Sequence, residues 1–190
     1  YVTNNLKTVQ IMKMNNIDRA FFSVIKNFII REEHELKLMK PAKGIFYMPE
    51  LAMVYQIGKE IMDHKEQIFG GAEVNWKREE KLGKGGINDL AFDVTGKVNE
   101  LFVFEFKMRD TRDMYEKDIR KLQSFIDDSR DKIHKYFCAV IDENKGEKSS
   151  DSPHRRMIHI SNLPDVNIDL VGSHPFEDLK IGRASCRERV

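Results

Sequence analysis

Cysteine is nearly missing from this chain: Cys138 and Cys186 are the only two among 190 residues. Two isolated thiols supply neither a disulfide framework nor a cysteine-ligated zinc site. Cys138 sits in the apolar run Tyr136-Phe137-Cys138-Ala139-Val140-Ile141, so it is expected as a buried free thiol. Long apolar stretches are also missing. No window approaches 18 continuous apolar residues, which argues against a membrane-spanning helix. The first residues lack the charged, apolar, small-residue order of a signal peptide. With so few cysteines, the expected setting is reducing and cytoplasmic. Excess charge of either sign is lacking as well, since 32 Lys and Arg against 31 Asp and Glu give a formal +1. That excludes a global basic field, so a nucleic acid would have to meet a local patch, or acidic side chains screened by metal ions. Gly83-Lys84-Gly85-Gly86 lacks the Lys-Ser/Thr ending of a phosphate loop. There is no serine elbow, and His134, His154 and His159 have no metal-ligand spacing with a second ligand pair.

What is present is apolar content of 41%, enough for one sizeable core and too little chain for two. The reading is a single domain over 1–180. Residues 181–190, Ile-Gly-Arg-Ala-Ser-Cys-Arg-Glu-Arg-Val, have no apolar period and resemble a stretch appended to unrelated sequences. They are set aside as a non-native or disordered tail.

Ile17, Ala20, Phe21, Val24, Phe28 and Ile29 recur at helical spacing and predict a helix capped by Asn15 or Asn16 and running to about Leu36. After a break at Pro41 and Gly44, a second helix opens near Pro49 with Leu51, Val54, Ile57, Gly58, Ile61 and Met62 on its apolar face. Glu50 lies within that face on a helical wheel and Glu60 points away from it. Glu50 is then either a first-turn residue favoured by the helix dipole or a carboxylate aimed at a site.

Residues 72–82, 89–94 and 101–108 read as strands, the last two joined as a hairpin through Thr95-Gly96-Lys97-Val98-Asn99. Asp113-Met-Tyr-Glu116 has the spacing of a capping box. The helix behind it turns Tyr115, Ile119, Leu122 and Ile126 inward and ends near Lys132. Strands follow at 135–141 and 156–161, around a polar loop over 142–154. This order predicts an α/β fold, a mixed central sheet flanked by helices.

Chemistry concentrates in Asn88-Asp89-Leu90-Ala91-Phe92-Asp93-Val94 and Leu101-Phe102-Val103-Phe104-Glu105-Phe106-Lys107. Strand alternation puts Phe102, Phe104 and Phe106 on one face and Val103, Glu105 and Lys107 on the other. A hairpin would lay Asp89 beside Glu105. Two carboxylates so close repel unless a proton or cation lies between them. Mg²⁺ prefers such hard oxygen ligands, and can orient a water and neutralise phosphate charge. Lys107 adds a cation on the same face, and would be a base only with a depressed pKa. A solvated strand face also alternates acid and lysine, so the glycine turn, the Asp, the apolar strand ending Glu-x-Lys and the amphipathic helix count together.

These segments resemble the PD-(D/E)xK superfamily of nucleases, from about Pro49 to Ile141. The first acidic position matches Asp89, with Asn88 where proline is common. The second acid and the lysine match Glu105 and Lys107, and Glu50 best matches a helix-borne glutamate of many members. The resemblance implies a restriction endonuclease-like core and Mg²⁺-dependent phosphodiester hydrolysis, with Mn²⁺ as a substitute ion. Asp89, Glu105 and Glu50 would be the metal ligands and Lys107 would serve the chemical step. DNA is the expected partner, with RNA and a homodimer left open. Lys77, Arg78, Lys81 and Lys84 are candidate phosphate contacts, though a charged turn explains them equally. The alternatives are a non-catalytic nucleic-acid-binding or assembly protein with the same fold, and a small α/β protein in which Glu105 and Lys107 form a surface pair.

Overall fold

Strand alternation sorts the core into two layers, one on each side of a sheet. The computed structural model describes residues 16–39, 43–81, 87–108, 112–141, 172–175 and 183–188. In β3 (Glu100–Met108) the side chains of Phe102, Phe104 and Phe106 enter one core. That core is closed by α1 (Asn16–Met39), α2 (Glu50–Asp63) and the short α3 (Lys65–Phe69), through residues such as Phe21, Phe28, Ile57 and Ile68. Leu101 and Val103 enter the other core, beneath α4 (Arg112–Ser124), with Tyr115, Ile119 and Leu122. Helices on both faces of a sheet make this an α/β protein, as the order of periodic segments implied. Cys138 is buried, as expected.

The sheet is mixed. β1 (Glu73–Lys81), β2 (Ile87–Thr95) and β3 are successively antiparallel, and β4 (Lys132–Ile141) lies parallel to β3 after the crossover through α4. Tyr136 on β4 donates its hydroxyl to Asp18 Oδ1 at 2.7 Å, tying the start of α1 to the sheet. Among the described residues no helix is long and apolar enough to cross a membrane.

Several local expectations are corrected. Leu51 is 48% exposed, and Met53 takes the buried place beside Val54, Ile57, Gly58 and Ile61. Gly58 is suited to that face, because a Cβ there would sit 3.0 Å from Leu90 and 3.4 Å from Trp76. α4 ends at Ser124, not near Lys132. Asp127 Oδ1 accepts the N–H and the hydroxyl of Ser129 at 3.0 and 2.5 Å, local bonds that compete with helix continuation. Phe125 is buried there and Ile126 is exposed. Asp113 lies inside the first turn of α4 instead of capping it. Residues 183–188, set aside with the tail, form β6 antiparallel to β4, and β5 (Gly172–Pro175) pairs with β6. Added strands are held by main-chain hydrogen bonds, which need no apolar period in the added segment. The expected loop over 142–154 and strand over 156–161 lie outside the described residues.

The turn before α2 is built around Glu33. Its buried carboxylate accepts the N–H of Ile45 and meets Lys37 Nζ at 3.4 Å. Gly44 has φ +51°, and a Cβ on it would collide with the Glu33 carboxylate. Gly44→Ala is therefore expected to destabilise the protein by about 1–3 kcal/mol from the left-handed backbone alone, before the collision is counted. Thermal unfolding should show a Tm lower by several degrees; an unchanged Tm would contradict this account of the turn.

Candidate active site

The site begins where β2 and β3 stop sharing a ladder. Their pairing runs from Val94–Glu100 to Leu90–Phe104, whereas β3 stays paired with β4 as far as Met108–Val140. Beyond Phe104, two N–H groups of β3 are satisfied by side chains. Phe106 donates to Asp89 Oδ2 at 2.8 Å, and Met108 donates to Glu50 Oε2 at 2.7 Å. Residues two apart on a strand direct their N–H groups to the same edge. Two carboxylates, one from β2 and one from the first turn of α2, thus bind the same edge of β3.

α4 covers the face that carries Glu105 and Lys107. Lys107 Nζ lies 3.4 Å from Glu50 Oε1 and 3.2 Å from Asp118 Oδ2. Glu105, whose side chain is 2% exposed, forms an ion pair through Oε1 with Lys121 Nζ. Glu50, Asp89, Glu105 and Asp118 thus share one end of the sheet with Lys107 and Lys121. Acids outnumber bases there by two to one.

The electrostatics follow from this crowding. Burial pushes the Glu105 carboxyl up to about 8, the Asp89 charge pushes the same way, and Lys121 offsets part of the rise. Burial alone would lower the pKa of Lys107. Glu50, Asp118 and Asp89 outweigh it and hold the ammonium above its ordinary range. Lys107 is therefore a fixed cation at neutral pH, and the depressed pKa that a lysine base needs is not there.

No protein family, curated protein or solved structure matches the chain.

The structure brings Asp89, Glu105, Lys107 and Glu50 together, as the geometry above records. Glu60 is turned elsewhere, with Oε1 2.5 Å from Arg31 Nη2. Of the residues considered for phosphate contact, Lys77 lies 3.8 Å from Asp93 Oδ2. Arg78 pairs with Glu79 at 3.8 Å and lies over the Tyr55 ring at 5.5 Å. Lys81 is exposed at the end of β1, and Lys84 lies outside the described residues. His134 stacks on Phe102 at 4.3 Å and meets Glu100 Oε2 at 3.1 Å, at the strand end opposite Lys107.

Asp118 and Lys121 are the members of the cluster that sequence reasoning missed, and Asp118 carried a readable signal. It falls between Tyr115, Ile119 and Leu122, so it occupies a core-facing position of an apolar stripe and is buried. An acid at such a position needs a partner. Four hard carboxylate donors suit Mg²⁺ by their chemistry. Among the described residues, however, no three acidic, histidine or cysteine side chains converge as a ready-made cage, and the two ammonium groups pair with the acids instead.

Proposed function

We propose that the chain is a divalent-metal-dependent nuclease of the PD-(D/E)xK type, acting on nucleic-acid phosphodiesters and on DNA first. The observation that carries this reading is the parting of β2 from β3, at which Asp89, Glu105 and Lys107 meet Glu50. The order of elements supports it too: a helix, three antiparallel strands, a crossover helix and a strand parallel to the third. That is the order the motif resemblance implies for a restriction endonuclease-like core.

Asp89 and Glu105 are the residues that would hold Mg²⁺ or Mn²⁺, with Glu50 and Asp118 nearby. When bound, the ion supplies charge neutralisation at phosphate and a lowered pKa for an attacking water. Lys107 serves as a charge. Held between Glu50 and Asp118, it would donate to a phosphate oxygen and stabilise the additional negative charge of the five-coordinate phosphorus. Its raised pKa keeps it from taking the proton of the water.

The test is a cleavage assay on supercoiled, linear duplex and single-stranded DNA and on RNA, with Mg²⁺, Mn²⁺ or chelator. Cutting that needs the divalent ion and stops with chelator is expected. Binding without cutting would favour the non-catalytic nucleic-acid-binding reading. One observation speaks for that second reading: lysines pair with the acids and no three carboxylates converge. Neither binding nor cutting would reduce Glu105 and Lys107 to a structural cluster.

A further inference from the structure

The two lysines of the cluster are held differently. Lys107 stands on a central strand between two carboxylates, and its side chain is 15% exposed. Lys121 stands on a helix that faces solvent on its other side. It reaches inward to the one carboxylate of Glu105, and its side chain is 28% exposed. A lysine stem has four rotatable carbons and a strongly hydrated head. From this position it needs only a change of rotamer to return the ammonium to water. Glu105, at 2% exposure, has no such freedom and must be neutralised where it is.

We propose that Lys121 is a resident counter-ion of Glu105 that a divalent cation displaces, so that Lys121 sets the cation concentration at which the site loads. The proposal rests on the nuclease reading only in taking Glu105 as a ligand. The exchange is balanced in kind: a monovalent ammonium would leave the buried carboxylate for solvent, and Glu105 and Asp89 would be the residues that hold the dication. Asp89 then gains a partner across from Glu105, where like charges otherwise oppose each other. Lys107 stays in place, retained by Glu50 and Asp118. Lys121 thereby pairs with the ionised form of the acid when no cation is at hand, at the expense of cation affinity.

Mg²⁺ titration by calorimetry tests this on the full chain, using wild type, Lys121→Met and Lys121→Arg. Methionine keeps most of the stem and removes the charge. It should tighten Mg²⁺ binding roughly tenfold, the scale of removing one nearby unit charge in a partly solvated setting. Arginine keeps the charge and should bind Mg²⁺ no more tightly than wild type. Acetylation of wild-type lysines, followed by mass spectrometry, is the second measurement. Saturating Mg²⁺ should raise the reaction rate at Lys121 and leave Lys107 slow. Unchanged or weaker Mg²⁺ binding by Lys121→Met, or a Lys121 acetylation rate indifferent to Mg²⁺, overturns the displacement and leaves the metal site standing. No Mg²⁺ or Mn²⁺ binding by any of the three proteins, with or without a DNA oligonucleotide, overturns the metal site and the displacement together.

Discussion

Lys107→Ala is expected to lower phosphodiester cleavage by roughly a hundredfold or more, the scale of losing one fixed stabiliser of transition-state charge, while Mg²⁺ affinity holds or rises. The two effects separate because Lys107 is a cation beside the carboxylates. Its removal takes away repulsion toward an incoming metal ion, and also takes away the charge aimed at phosphate. Glu105→Gln should behave differently. It keeps the shape of the side chain, removes a formal ligand charge, and should weaken Mg²⁺ binding and abolish cleavage together. Calorimetry beside a cleavage assay reads both quantities for each variant. The fold should survive Lys107→Ala, because Met108 still donates to Glu50, and near-UV circular dichroism checks that. Parallel loss of metal binding and cleavage in Lys107→Ala would make Lys107 part of the metal-binding framework and sink the assigned role.

The chain announced its sheet more clearly than its site. Alternation in Leu101-Phe102-Val103-Phe104-Glu105-Phe106-Lys107 decides both faces of β3, since successive side chains of a strand point to opposite faces of the sheet. The same logic placed Asp89 beside Glu105, given only a hairpin. What alternation cannot show is where a ladder ends. The parting of β2 from β3 beyond Leu90–Phe104 is a main-chain event, and the carboxylates of Asp89 and Glu50 that satisfy the opened edge come from two other elements. Helix ends were misjudged for a related reason. Ser129 bonding to Asp127 outweighs the apolar period that pointed past Ser124. The inward turn of Lys121 had no signature at all, because a lysine beside an apolar stripe ordinarily runs its stem along the surface with its head in water. Only the burial of Glu105 beneath α4 supplies a reason for it to reach in.

That burial has a consequence for stability that needs no metal and no substrate. The Glu105 carboxyl titrates at about 8 in the folded protein, against an ordinary value of 4.5, chiefly because burial disfavours its charged form. The sign follows from proton linkage. Below pH 4.5 both folded and unfolded chains hold the proton, and this group gives stability no slope. Between 4.5 and about 8 the folded chain holds a proton that the unfolded chain has released, so stability falls as pH rises. Above about 8 both forms are ionised and the slope disappears, with the full penalty in place. Each unit of displacement is worth about 1.4 kcal/mol, so the total is on the order of a few kcal/mol. Lys121 moderates it by pairing with the ionised form. Glu105→Gln removes the titration, and glutamine can still accept a hydrogen bond from Lys121. Denaturant unfolding of wild type and Glu105→Gln, both in chelator from pH 4 to 9, isolates the effect, because the remaining groups titrate in both proteins. The difference between the curves should grow through the neutral range in favour of the variant and level off above about pH 8. A difference that stays flat from pH 5 to 8.5 would mean that Glu105 is ionised in the folded protein throughout, with Lys121 compensating its burial in full.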